Sequence, residues 1–152
     1  MKAVIQRVKK ASILIDSKII SEIGYGLLVL ICVEREDDER VLDWIAEKIV
    51  NLRIFPDENG KFNLSVKDIK GEILLVSNFT VCGLLKKGTR PTFHLAGEPE
   101  KAEKLLRILS EKIKNKGISV KEGVFGAYME VHLINDGPVT LYLEYPCKNE
   151  KN

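Results

Sequence analysis

The chain has 152 residues, of which 45% are hydrophobic and 30% charged, with a formal net charge of +2. That length suits one domain, and the apolar and charged fractions exclude a disordered chain. The small net charge announces no nucleic-acid partner, although a local basic patch can matter more than the total.

In chain order, the opening is rich in Val and Ile and predicts short strands over 2–9, 11–16 and 18–23. Gly24-Tyr25-Gly26 punctuates before the run 27–33, which is apolar at consecutive positions and therefore expected mid-sheet, covered on both faces. Residues 34–40 end that strand. A helix follows, with Val41, Leu42, Ile45, Ile49 and Leu52 at helical spacing and Asp37 or Asp38 placed to cap its first turn. Pro56-Asp57-Glu58-Asn59-Gly60 is a turn cluster, and 72–78 holds another buried strand around Ile73-Leu74-Leu75-Val76. Residues 82–97 form a long loop with three glycines, a length that usually serves a function. Pro99 suits the first turn of a second helix with the apolar line Ala102, Leu105, Leu106, Leu109 and Ile113, and Gly117 stands where a left-handed cap is wanted. Strands are expected over 118–121, 126–134 and 139–145. Residues 148–152 read as a frayed tail beyond a single domain spanning 1–147.

About eight strands clustered at both ends of the chain, with two helices and no repeat, predict an α+β domain of sheet layers covered by two helices. A strict alternation of strand and helix would instead point to a doubly wound fold. Such a chain buries roughly 70% of its unfolded surface and needs no covalent or metal staple. Cys32, Cys82 and Cys147 are odd in number and widely spaced, so they read as apolar fillers. No apolar run reaches membrane-spanning length, and the N-terminus lacks the basic-then-apolar order of a secretory leader, so a cytoplasmic protein is expected.

Common hydrolytic inventories are missing. His94 and His132 are the two histidines, neither lies in an HExxH pattern, and no metal or cofactor is expected. No GxSxG elbow presents a serine. The segment Gly83 to Arg90 approaches a phosphate-binding loop but runs into Pro91 where a helix should begin. Its Lys86, Lys87 and Arg90 are either a solvated basic loop or a steering patch for a phosphate backbone. Ser77-Asn78-Phe79-Thr80 is either a polar strand terminus or a set of unused backbone N–H groups able to hold an oxyanion. Asn135-Asp136-Gly137-Pro138-Val139-Thr140 is an acceptable hairpin turn; with a cis Gly-Pro bond it would instead aim two carbonyls the same way as a rigid wall.

Together, Ser77-Asn78-Phe79-Thr80-Val81 and Asn135-Asp136-Gly137-Pro138-Val139-Thr140 resemble the SQFTL and NxGPVT motifs of the D-aminoacyl-tRNA deacylase family, known also as D-tyrosyl-tRNA deacylase. Gln6-Arg7-Val8, Gly24-Tyr25-Gly26-Leu27-Leu28-Val29, Arg53-Ile54-Phe55, Gly88-Thr89-Arg90-Pro91 and Gly126-Ala127-Tyr128-Met129 look like family segments in family order, so the likeness spans nearly the whole chain. The resemblance implies an enzyme that hydrolyses the ester of D-aminoacyl-tRNA and of mischarged glycyl-tRNA. It implies a homodimer that meets the aminoacyl-tRNA 3′ end, with no DNA or membrane partner. Gly137 and a cis Pro138 of the partner subunit would form a chiral gate, held in place by Arg7. Phe125 and Met129 would line the pocket, and backbone groups of Ser77, Asn78, Phe79 and Thr80 would hold the aminoacyl carbonyl. The ribose 2′-hydroxyl of the terminal adenosine would assist, so that no reactive side chain is required. Thr80 as nucleophile is the competing mechanism, but no adjacent base is visible. Asn78 departs from the motif's glutamine. Two rivals stand beside this reading: an inactive acyl-tRNA-end-binding dimer, and a Thr80-dependent amidase or esterase of small molecules.

Overall fold

The computed structural model describes residues 1–146. The tail expected over 148–152, and Cys147, lie outside the described residues. Eight strands and two α-helices follow one another as β1 (Lys2–Ile15), β2 (Lys18–Ile23), β3 (Gly26–Cys32), α1 (Leu42–Asn51), β4 (Phe55–Pro56), β5 (Phe62–Leu64), β6 (Glu72–Ser77), α2 (Pro99–Lys114), β7 (Ser119–Glu122) and β8 (Glu130–Glu144). Short 3-10 turns, Glu39–Val41 and Phe79–Cys82, precede α1 and follow β6. The main sheet runs β2-β1-β3-β6-β7, with β8 paired to the other edge of β1, and β4 and β5 form a separate hairpin. Among the described residues no helix is long and apolar enough to cross a membrane.

Strand β3 is central because it is apolar on both faces. Leu27, Val29 and Ile31 join Ile73 and Leu75 of β6 under the helices, while Leu28 packs with Leu74 and Val76 on the opposite face. The period of two puts alternate residues on opposite sides, so an unbroken apolar run needs cover on both. Helix α1 presents Leu42, Ile45, Ala46 and Ile49, and α2 presents Leu105, Leu106, Leu109 and Ile113, to the first cluster. Each such burial contributes roughly 2 kcal/mol, which is why the helices lie flat on this face. The β3–β6 pairing is parallel and close: a Cβ on Gly26 would lie 1.8 Å from the Glu72 carbonyl oxygen, so only glycine fits there.

The α+β class and the strand count expected from sequence hold, but the boundaries differ. Residues 2–9 and 11–16 form one strand. The exposed pair Lys9 and Lys10 sits at a register shift in the β1–β8 pairing. Ala3 and Ile5 face the first cluster, whereas Val8, Ala11 and Ile13 all face the other, so the alternation slips by one between Val8 and Ala11 and the bulge flips the pleat without ending the strand. The segments expected as 126–134 and 139–145 are likewise one strand beginning at Glu130, and the supposed turn at 135–138 lies inside it. The hairpin β4–β5 brackets the 56–60 turn. Asp38 caps the 3-10 turn Glu39–Val41 that leads into the helix, its carboxylate accepting from the Arg40 N–H at 2.9 Å, while α1 itself starts from Val41 with no side-chain cap. Asp37 instead accepts from the Glu34 N–H at 2.7 Å and the Met1 ammonium at 2.8 Å.

The reading of all three cysteines as fillers is corrected. Cys32 and Cys82 are joined by a disulfide, S–S 2.03 Å and Cα–Cα 6.0 Å, across 50 positions of sequence. Wide spacing in sequence says nothing about distance in space: Cys32 is the last residue of β3 and Cys82 the last of the turn that leaves its parallel neighbour β6.

Candidate active site

The end of β6 builds one wall of the site. Ser77 pairs with Ile31, and the Asn78 N–H donates to the Ile31 carbonyl at 2.8 Å as the last rung of the ladder. The chain then tightens into the 3-10 turn Phe79–Cys82, closed by the Val81 N–H on the Asn78 carbonyl at 3.2 Å and the Gly83 N–H on the Thr80 carbonyl at 2.9 Å. A 3-10 turn leaves its first N–H groups unused. Neither the Phe79 nor the Thr80 N–H has an acceptor among the described residues. The Asn78 side chain, in the capping position, takes neither of them; its Oδ1 accepts from the Thr80 hydroxyl at 2.5 Å. Two consecutive backbone donors thus stand free at the head of this turn. The disulfide ties its far end to β3.

Those donors border a cavity of about 820 Å³. Leu30, Val76, Met129 and Val131 give it an apolar floor continuous with the second core cluster. Ser77, Asn78, Phe79 and Thr80 line one side and Phe125 and Met129 another, so these six predicted site residues share one pocket. Sequence reasoning missed Phe93, whose ring meets Phe79 edge-on at 5.2 Å, and Tyr128, 93% exposed beside the cavity. Phe93 is an isolated aromatic in a loop with no sequence signal, and Tyr128 stood in a family-like segment from which only Met129 was singled out. The loop 82–97 folds back on itself through the Leu84–Thr92 pair, at 2.9 and 3.1 Å, and carries Lys86, Lys87 and Arg90 on an exposed tip away from the cavity lining. Neither histidine lines the cavity; His132 is exposed on β8, 3.3 Å from Glu130. No group of three or more His, Cys, Asp or Glu able to hold a metal ion occurs among the described residues.

Arg7, Gly137 and Pro138 lie elsewhere. Between Gln6 and Val8 on β1, β8 steps from Thr140 to Asn135, so the single residue Arg7 faces four and the surplus is thrown outward. Asn135 clips the base of this bulge, accepting from the Val139 N–H at 2.8 Å and donating to Thr140 Oγ1 at 2.9 Å; Gln6 also donates to Thr140 Oγ1, at 3.1 Å. Val139 is buried and anchors the return. Arg7, opposite the bulge, is itself buried, and its guanidinium donates to the Asp136 carbonyl at 3.1 Å and the Ile54 carbonyl at 2.7 Å. The Gly137-Pro138 bond is cis, and Gly137 has φ +141. A Cβ there would lie 2.8 Å from Val139 Cγ2 and 3.4 Å from Arg7 Nη2. Gly137 and Pro138 are both exposed. Arg7 pairs with Leu27 and Ser77 with Ile31, which separates the bulge from the chain's own pocket by four residues along β3, about 13 Å.

The chain is 51% identical to a D-aminoacyl-tRNA deacylase of Thermodesulfovibrio yellowstonii, over 94% of this chain and 98% of that one. It is 55% identical to a D-aminoacyl-tRNA deacylase of Geotalea daltonii, over 96% and 97%. Among solved structures it superposes on one named c-Myc DNA Unwinding Element Binding Protein with a TM-score of 0.90, 45% identity and coverage of 96% and 99%. A structure described as a probable eukaryotic D-amino acid tRNA deacylase shares the fold, with a TM-score of 0.80 at 16% identity over 93% and 97%. The model of the D-Tyr-tRNA(Tyr) deacylase family matches residues 4–144. With both motifs sitting on structure that accounts for their residues, the chain belongs to the D-Tyr-tRNA(Tyr) deacylase family.

Proposed function

We propose that this protein hydrolyses the ester of D-aminoacyl-tRNA, and of mischarged glycyl-tRNA, in the cytoplasm where charged tRNA is used. The observation that carries the reading is the pair of free N–H groups on Phe79 and Thr80 at the edge of an apolar pocket. When water adds to the ester carbonyl, its oxygen becomes an oxyanion, and two fixed donors stabilise that charge without reorganising. Collapse expels the ribose 3′-oxygen, which takes up a proton; the neighbouring 2′-hydroxyl of the terminal adenosine positions the water and relays its proton. The amino-acid side chain rests on Leu30, Val76 and Met129. Exposed Phe79 and Tyr128 offer faces on which the terminal adenine stacks. Thr80 is not the nucleophile: its hydroxyl donates to an amide oxygen, which is no base.

The chiral gate comes from a second copy. The Gly137-Pro138 bulge faces outward and away from its own pocket. Among the described residues, strand β8 pairs with β1 on one side alone and exposes Leu133, Ile134, Leu141 and Tyr142. An unpaired apolar edge of this length invites self-association. In the dimer, Gly137 and Pro138 of one protomer crowd an L side chain in the pocket of its partner and leave room for a D side chain or for glycine. Lys86, Lys87 and Arg90 steer the tRNA backbone.

The test is turnover of D-tyrosyl-tRNA by purified protein, beside the same tRNA ending in 2′-deoxyadenosine, with light scattering to count subunits. Hydrolysis of the first, a large loss on the second and a dimer are expected. Binding without turnover makes the protein a holder of acyl-tRNA ends, and a monomer with full D-selectivity removes the cross-subunit gate.

A further inference from the structure

Arg7 is not the only group that fixes the outward bulge. The residue before Gly137 is Asp136, at the position the NxGPVT motif leaves open, and both ends of it are held. Its carbonyl accepts from Arg7 Nε at 3.1 Å. Its carboxylate lies 3.2 Å from the same Nε and accepts from the Tyr25 phenol at 3.2 Å. Tyr25 is itself well placed to act as a fixed post. It stands in the turn between β2 and β3, its carbonyl accepts from the Glu72 N–H at 3.1 Å, and its ring meets Phe55 edge-on at 5.3 Å. Partial burial and the Asp136 charge raise its pKa, so the phenol keeps its proton and donates.

We propose that Tyr25 and Asp136 are specificity-determining positioning residues, which set the depth and tilt of the Gly137-Pro138 main chain and thereby the discrimination between D- and L-aminoacyl groups. The inference rests on the gate reading above. A wall made of main-chain atoms rejects a substrate by contact, so its selectivity depends on where it stands. A displacement of about 1 Å is enough to cost orders of magnitude in a positioned site. With both the carbonyl and the carboxylate of Asp136 on fixed donors, rotation of the chain entering Gly137 is blocked. With the phenol hydrogen bond gone, Arg7 Nε is left to hold both oxygens, and one hinge is freed.

The experiment compares hydrolysis rates on D- and L-tyrosyl-tRNA for wild type, Tyr25→Phe, Asp136→Asn, Asp136→Ala and the Tyr25→Phe/Asp136→Ala double variant. Thermal midpoints are recorded on the same preparations. Tyr25→Phe keeps the ring against Phe55 and is expected to fold. Its D-to-L ratio falls about tenfold, the size of one hydrogen bond to a charged group. Asp136→Asn, the near-isosteric control for folding, falls in the same direction. Because Tyr25 acts through Asp136, the double variant matches Asp136→Ala. A large wild-type ratio that Tyr25→Phe leaves unchanged, or effects that simply add in the double variant, overturns this inference alone. A wild-type ratio near one overturns the gate reading and this inference with it.

Discussion

Replacing both Cys32 and Cys82 by Ala opens a link that closes 50 positions of chain. Loop-closure entropy of that size amounts to about 14 cal/mol/K, so the folded state loses roughly 4 kcal/mol at 25 °C. The unfolding entropy of a 152-residue chain is about 0.3 kcal/mol/K, which converts the loss to a fall in Tm of about 10–15 °C. Both sulfur-bearing residues are at most 2% exposed, so the vacated space adds to the cost rather than relieving it. The assay is thermal unfolding at one fixed protein concentration, because the proposed dimer would make the midpoint concentration-dependent. A thiol titration of denatured protein accompanies it and should gain two thiols per chain on reduction. The loss of activity should exceed the loss of folded protein, because the link holds the turn that carries the Phe79 and Thr80 donors. Identical unfolding of wild type and double variant, or equal thiol counts before and after reduction, would refute this reasoning.

Other perturbations separate backbone from side-chain chemistry. Thr80→Ala should keep turnover within about tenfold of wild type, whereas removing a true nucleophile costs many orders of magnitude; single-turnover rates on D-tyrosyl-tRNA decide. Gly137→Ala places a Cβ against Val139 and Arg7 at a positive φ, and should lower kcat/KM for D-tyrosyl-tRNA while circular dichroism shows a folded chain. Tyr128→Ala removes a stacking face and should raise KM about tenfold with kcat nearly unchanged. The Lys86→Ala/Lys87→Ala/Arg90→Ala variant should bind tRNA with a log–log salt slope shallower by about two, the share of three phosphate contacts on a single strand.

Much of the architecture was legible because period and punctuation are local. The two-sided run around Leu28 placed β3 mid-sheet, and Pro99 and Gly117 bracketed α2. The two strands wrongly split in the reading are both split at bulges. Lys9 and Lys10 look like a turn in sequence, and Asn135-Asp136-Gly137-Pro138 is rich in turn formers, yet each is a local excess inside a strand whose pairing continues on both sides. Only the partner strand reveals that. The disulfide escaped for a related reason, since a parallel pairing of β3 with β6 brings together residues 50 apart. For the site, the Ser77 and Gly137 motifs stood out through their resemblance to a family, not through any reactive side chain. Tyr25, Asp136 and Tyr128 stand inside family-like segments, but nothing in those segments assigned them a role, and the parts proposed for them rest on what the bulge and the cavity place beside them.

The most direct measurement is the initial rate of deacylation of matched D- and L-tyrosyl-tRNA by the purified protein with chelator present. Main-chain atoms that read handedness and stabilise the oxyanion predict steady hydrolysis of the D-ester and sparing of the L-ester by about a hundredfold or more. Equal rates on the two esters, or activity that vanishes with the chelator, would contradict the account.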